Sequence, residues 1–581
     1  MKHYDILLRN GLVFDGRGSS PVEADVGITD GLVVDVAPWL AGTATEEISA
    51  RGRWVMPGFI DFHTHYDAEI EIDASLSESV RHGVTTVFLG SCSLGASVGT
   101  PEDICDIFCR VEGVPRSTML PLFERIKDWN TFPEYLDHLE TLPLGPNVCV
   151  FVGHSNLRMA VLGFERSLDG KLKPSGQELD EMVQLLEEAL DVGYVGLSIQ
   201  TLPWDKLDGD RFRSQPLPSY FARWSEYRKL TRVLRRRDRI FQGVPNVTTK
   251  VNVLLFLLES IGLFRKPLKT TVISLMDVVA NRTIHWSIPI LTRLANRFLG
   301  ADFRFQALPN AFDVWADGMD LVIFEEFAAG TEAIHLADLG QRAELLRDEE
   351  YRRRFRKQWT SIFAPRVYHR DFKLSTVLAC PNTQLVGRSF HEIALERGVH
   401  VVDAFLDLTA EFGEKLRWYS VVANDRRGPL EKITAHPDVL IGFSDAGAHL
   451  RNMAHYSYPL RLLKLVQDAE ARGEGFMSIE RAVHRVTGEI GDWFNVPLGH
   501  LEVGTRADVV VVDPTKLDER LDEVTEEEMP GFDGLSRLVR RSDDAVPLVI
   551  INGKVAARHG VRSEPLGQSK QYGTLIRAKN A

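Results

Sequence analysis

The stretch VMPGFIDFHTHYD, residues 55–67, is an apolar run that ends abruptly on His63 and His65. A strand sends successive side chains to opposite faces, so two histidines spaced one apart leave its end on the same side, where both imidazoles can grip one metal ion. Two ligands do not complete a coordination shell. The rest must come from other parts of the chain.

Outward from this stretch, the sequence from about Gly58 to Thr487 alternates apolar runs with helical patterns, the signature of repeated βα units. GFIDFHTH, GVTTVFLGSC, NVCVFVGH, YVGLSIQ, RIFQGVP, KTTVISLM, DFRFQAL and DVLIGFSDAG read as strands. Eight such runs predict an α/β fold, a (β/α)8 TIM barrel over residues 58–487. Its active face is then the C-terminal rim, which carries His63, His65, Cys92, His154, Gln200, Gln242, Met276, Gln306 and Asp445. Both ends of the chain alternate in the strand manner, with NG and DG turns between YDILLRNGLVFDG and EADVGITDGLVVDVAP, and ADVVVVDP and VPLVIINGKVAARHG near the C-terminus. A few N-terminal strands bury too little surface alone, so residues 1–57 plus 488–581 are expected to form one small β-sandwich. About 130 residues separate the seventh and eighth runs; this insertion, at about 311–435, is expected to be a lid or a helical subdomain. The Pro-rich, aromatic connection LPWDKLDGDRFRSQPLPSYF reads as a substrate-enclosing loop or as a plain exposed one.

Composition bounds the partners. The 581 residues are 44% hydrophobic and 26% charged, as in ordinary globular proteins, and the net charge of −13 argues against nucleic acid. RVLRRRDR reads as the solvated face and C-terminal end of a helix. Five cysteines without framework spacing suggest a reducing compartment, and the N-terminus lacks the pattern of a signal peptide, so a cytoplasmic location is expected. VNVLLFLLESIGLF is too short to span a bilayer and reads as a buried or lid helix, with a membrane-surface helix as the lesser alternative. The expected partner is a small-molecule amide, without nucleic acid or membrane, and with room for a homo-oligomer.

The missing ligands have candidates. FSDAGAH, residues 443–449, places Asp445 at the end of an apolar run just as HTH ends its own, and the first and last strands of a barrel are neighbours. Two imidazoles, a carboxylate and an open position describe a catalytic site for zinc or a similar divalent ion. Cys92 ends the second run and is either a soft ligand or a small buried hydrophobe, whereas Cys105 and Cys109 lie one helical turn apart and read as core.

PGFIDFHTH, GVTTVFLGSCS, VGHSNLR, VGLSIQ, GFSDAGAH and GHLEVGTRADVVVVDP together resemble the amidohydrolase superfamily, and within it the N-acyl-D-amino-acid deacylase (D-aminoacylase-like) branch. The resemblance covers most of the chain and is weakest from about 205 to 435. It implies a barrel with a small β-sandwich, a hydrolytic zinc site, metal ligands at His63, His65, Cys92 and Asp445, and Asp445 also as proton carrier. The chain departs from the family at two strand ends. A THxR-type run after strand five is replaced by FQGVPN, and an ISHxK-type run after strand six by ISLMD, leaving Gln242 and Leu275 or Met276 where histidines are expected. His285 and His449 are open as substitutes. One-metal chemistry is therefore the expectation: a metal-activated water attacks an amide, Asp445 carries the proton, His154 assists the developing charge, and Arg158, Arg451 and Gln242 meet the substrate. The alternatives are hydrolysis of a cyclic amide, imide or lactone, and a degenerate homologue that binds without turnover.

Overall fold

The computed structural model describes residues 2–246, 250–361, 366–532 and 534–578. Eight strand positions curl into a barrel: β1 (Phe59–Asp61, continued by His63–Thr64), β2 (Val84–Leu89), β3 (Asn147–Val150, continued by Val152–Gly153), β4 (Gly196–Gln200), β5 (Ile240–Val244), β6 (Lys269–Val272), β7 (Asp302–Ala307) and β8 (Val439–Ile441, continued by Phe443–Ala446). All neighbouring pairs with paired register are parallel. The barrel closes where Phe443 pairs with His63, and the Phe62 amide donates to the Gly442 carbonyl at 3.0 Å. Each predicted apolar run supplies one strand. These strands are almost wholly buried because they face side chains within the barrel and helices outside it.

The end of the barrel opposite the histidines is shut by apolar packing. Phe494, on the helix Gly488–Phe494, lies 5.2 Å from the Phe62 ring and 4.9 Å from that of Phe88. The final segment returns to the same end, where the Ile576 amide donates to Val148 and Ala578 is buried against the plug. That leaves the C-terminal rim as the end open to chemistry.

The two ends of the chain meet in one nine-stranded, hydrogen-bonded sheet, so the extra domain is built from both termini. The long strand Lys2–Val13 pairs along most of its length with Gly42–Ser49 and at its far end with Trp54–Pro57, so the sheet branches there. Val509–Val512 then pairs with Trp54–Pro57, joining the C-terminal strands to the N-terminal ones. This extra sheet stands apart from the barrel sheet in its pairing.

Between β7 and β8, Phe312–Asp317 pairs antiparallel with Arg417–Ala423, and that strand with Ser375–Ala379. Helices including Glu349–Trp359 and Val401–Phe412 cover this sheet, so the insertion is mixed α/β and not the helical subdomain that was one of the two expectations. It has its own aromatic core, with Trp359 stacked 4.7 Å from Phe372 and Phe372 4.9 Å from Phe405.

VNVLLFLLESIGLF is not a buried helix. The helix Lys250–Ser260 leaves Val251, Leu254 and Leu258 exposed. No helix among the described residues is long and apolar enough to cross a membrane.

Candidate metal centre

Closure of β1 against β8 builds the site. Asp61 accepts from the Ser444 hydroxyl and, at 3.3 Å, from the His63 amide, while the His65 amide donates to the Ala446 carbonyl at 2.7 Å. These contacts fix both histidines beside Asp445, whose Oδ1 is 3.5 Å from His63 Nε2 and 3.4 Å from His65 Nε2. Cys92 enters from the turn after β2, its Sγ 3.2 Å from His63 Nε2. That turn is tight. Gly90 has φ 76°, and a Cβ there would lie 2.3 Å from the Phe151 carbonyl oxygen, so only glycine fits. Cys92 itself is left-handed at φ 54°, a conformation that aims its side chain at the histidines and is held by the surrounding packing.

One donor atom from each of His63, His65 and Cys92 lies within 4.8 Å of the others, the single group of three such residues among the described residues. The remaining ring nitrogens are held from behind. His63 Nδ1 is 2.6 Å from Gln306 Oε1 and His65 Nδ1 is 3.1 Å from Glu112 Oε1. An imidazole whose Nδ1–H faces a carbonyl or carboxylate turns the lone pair of Nε2 toward the centre, the arrangement usual behind metal-bound histidines. The donors fit a divalent ion: two imidazoles, a thiol, and a carboxylate oxygen, Asp445 Oδ1, that is buried without an aligned hydrogen bond.

The electrostatics agree with that donor set. Burial alone would raise Asp445, but the hydrogen bond from His65 and the neighbouring imidazoles bring it down to about 2, so the carboxylate is ionised. Burial depresses His63 to about 4, which keeps a ligand nitrogen neutral. Burial pushes the Cys92 thiol up to about 12 and Glu112 up to about 8. Burial opposes charge on His65, yet Glu112 and Asp445 hold its proton well above the ordinary histidine range. The ionised Asp445 is thus the negative charge facing the two imidazoles, and a cation bound there would take the place of the His65 proton.

The other expected residues divide. His449 is drawn close enough to feel the Asp445 charge, although burial holds its ring down at about 4. Together with Asp205 and Arg451 it lines a cavity of about 530 Å³ at this rim. Gln242 lies on β5 in register with Ser198 and Thr271, and both its amide atoms are buried without a protein partner among the described residues. Leu275 and Met276 are buried among apolar side chains, as non-ligands should be. His285 instead faces Asp277 at 3.2 Å.

Two expectations change. Arg158 does not reach a substrate: it is fully buried, paired with Glu226 and bonded at 3.1 Å to the Ser167 carbonyl. His154 belongs to the same unit, with Nδ1 3.1 Å from Ser219 Oγ and Nε2 3.2 Å from Glu226 Oε1. Freeing either partner would leave the other as an uncompensated buried charge, so this unit is not available to a ligand. Arg451 does reach the cavity, but Asp317 at 2.8 Å and Glu526 already meet its charge. Lys206, on the Pro-rich loop, lines the same cavity and has no ion pair among the described residues; sequence reading gave no signal for it. Glu112 and Gln306 were likewise unassigned, although Gln306 ends a strand at the active rim.

No protein-family model matches the chain. Over 588 aligned residues it is 47% identical to uncharacterized protein Rv2913c of Mycobacterium tuberculosis, covering 99% of this chain and 96% of that one. The chain belongs to the same family. Uncharacterized protein Mb2937c of Mycobacterium bovis matches to the same extent. The D-aminoacylase of Alcaligenes xylosoxydans xylosoxydans is 31% identical over 201 residues, 34% of this chain and 37% of the enzyme. In fold the chain is similar to N-acyl-D-glutamate deacylase from Bordetella bronchiseptica, solved with zinc and a phosphonate inhibitor, at TM-score 0.64 and 20% identity over 99% of this chain and all of that one. A D-aminoacylase structure gives TM-score 0.65 at 19% identity with the same coverage. The resemblance to the D-aminoacylase-like branch of the amidohydrolase superfamily thus holds in partial sequence and across the whole fold.

Proposed function

We propose that this protein is a metal-dependent hydrolase that cleaves the amide C–N bond of an N-acyl amino acid or a related small molecule. One observation carries the reading: His63, His65, Cys92 and Asp445 converge at the open rim of the barrel, from the ends of β1, β2 and β8. A barrel needs no such constellation for its stability. Zinc is the proposed ion, supported by the donor set and by the zinc in the N-acyl-D-glutamate deacylase.

His63, His65, Cys92 and Asp445 would hold the ion, with Gln306 and Glu112 orienting the two imidazoles. A divalent ion bound there supplies a Lewis acid for the amide carbonyl and brings the pKa of water toward neutrality. Asp445, held ionised beside the two imidazoles, would take a proton from the attacking water and return it to the leaving nitrogen. One ion is proposed because strands five and six end in Gln242, Leu275 and Met276. A D-aminoacylase of similar fold has a binuclear centre with one-metal activation and second-metal attenuation, which supports the one-ion reading.

The test is metal analysis of the purified chain with assays on a panel of N-acyl-D- and N-acyl-L-amino acids. About one equivalent of metal, lost in His63→Ala/His65→Ala, is expected. Asp445→Asn should lower kcat by roughly 10²–10⁴, the usual worth of a positioned proton carrier. A chain that binds no metal and turns over no amide would refute the proposal, and two equivalents would refute the single-ion part alone.

A further inference from the structure

The helices that follow β5 and β6 on the outside of the barrel bury Phe256 and Leu257 on one and pack Ile284 and Ile288 of the other against the core, yet both also turn a row of large apolar side chains outward. On Ile284–Phe298 the buried positions are Pro289, Thr292 and Ala295, while Trp286, Ile290, Leu294 and Phe298, spaced by four, face outward. Amphipathic helices ordinarily place large apolar residues toward the core. On Lys250–Ser260 the buried Glu259 bonds Trp224 Nε1 and Arg228 at 3.1 Å, while Val251, Leu254 and Leu258 are exposed. Between the helices, Leu263 and Phe264 cap the face, and Phe264 is 99% exposed. The Gly262 amide donates to the Leu299 carbonyl at 3.2 Å, tying that connection to the end of the second helix. Large apolar side chains exposed together, and rimmed by polar residues, mark an interaction surface.

The charge around this face has one sign. From residue 251 to 300 the acidic residues are Glu259 and Asp277, both buried, whereas Arg265, Lys266 and Arg297 are exposed without an ion pair among the described residues and the exposed Arg293 meets Asp438 at 3.5 Å. This occurs in a chain whose net charge is −13. Exposed Trp, Phe and Leu flanked by Arg and Lys, without exposed acids, suit the interface of an anionic bilayer: the rings enter the headgroup region and the cations meet lipid phosphates. A second copy fits worse, because a two-fold contact through this face would set its cations against their own equivalents.

From this complementarity we infer that the face formed by Lys250–Ser260, the connection at Leu263–Lys266 and Ile284–Phe298 docks on an anionic lipid surface. The face does not cross the bilayer; it lies on it. It also reaches the active rim, where Asn252 Oδ1 accepts from Thr201 Oγ1 at 2.9 Å, directly after β4. The inference does not depend on which reaction the metal centre performs.

The test is flotation of the full chain with vesicles of phosphatidylcholine alone or mixed with phosphatidylglycerol, at low and high salt. Binding to the mixed vesicles is expected, weakening as salt rises. Arg265→Glu/Lys266→Glu and Phe264→Ser/Trp286→Ser should each lower it by about tenfold or more. These substitutions alter exposed side chains, so the melting temperature should stay that of the parent chain. Absence of binding to mixed vesicles, or equal binding by the parent and both variants, overturns the inference. A dimer in sedimentation that Phe264→Ser/Trp286→Ser abolishes, without vesicle binding, also overturns it and assigns the face to a second copy.

Discussion

Gln242 shows how much one side chain can conceal. The resemblance expects a histidine at its strand end, and the structure supplies an amide buried on β5 with neither polar atom paired to protein. An unpaired buried polar group costs about 1–3 kcal/mol, a cost tolerated where the group meets a ligand. Gln242→Leu is therefore expected to stabilise the fold by about 1 kcal/mol in urea titration while lowering kcat/KM by roughly tenfold or more. Greater stability with unchanged kcat/KM would place the amide outside the site. His63 and His65 could be read from sequence because strand periodicity fixes their common side, and Asp445 because it ends the last apolar run; Cys92 stayed open, since a left-handed turn after β2 and not a strand aims it. Glu112 could not, since it is one acid among several on the helix Pro101–Glu112 and only folding brings it to His65.

At the scale of elements, the short helix Ser77–Arg81 after β1 is fastened to the C-terminal part of the chain through Glu78. Its buried carboxylate is 2.7 Å from Arg541 and 3.3 Å from His82 Nε2. Burial alone would raise this carboxyl, but the hydrogen bond with His82 and the cations Arg537 and Arg541 hold it well below the usual range. A folded-state pKa below the unfolded one gives stability that is complete above the unfolded value and is lost as pH falls through the folded value. Glu78→Gln should thus cost about 3 kcal/mol near neutrality, with the difference from the parent chain shrinking only as the pH drops below about 4. A gap that stays constant down to strong acid would show that the loss is steric. The eight barrel strands were legible as elements, whereas the mixed fold of the insertion was not. Its strands Phe312–Asp317, Ser375–Ala379 and Arg417–Ala423 pair across long separations and show no repeating pattern along the chain.

For the whole molecule, the metal centre joins the first and last strands of the barrel, so an ion there should brace the closure. A ligand bound only by the native state adds stability of about 4 kcal/mol at roughly 1,000 times its Kd. Chelation is expected to lower the Tm of the parent chain and leave that of His63→Ala/His65→Ala unchanged, as followed by calorimetry. Equal shifts in both would mean that the ion acts elsewhere.

The sequence by itself determined the barrel, because its strands are set by local periodicity and by apolar runs that can be counted. It also determined the pair His63 and His65, whose common side follows from strand geometry, and made Asp445 their neighbour once first and last strands were taken to meet. Tertiary structure decided the rest. It turned Arg158 and His154 inward onto Glu226, set Asp317 and Glu526 against Arg451, and branched the terminal strands into one sheet. It also exposed Leu254 and Leu258. The physical reason is that an ion pair or an exposed face depends on what lies opposite in space, and local pattern carries no record of that.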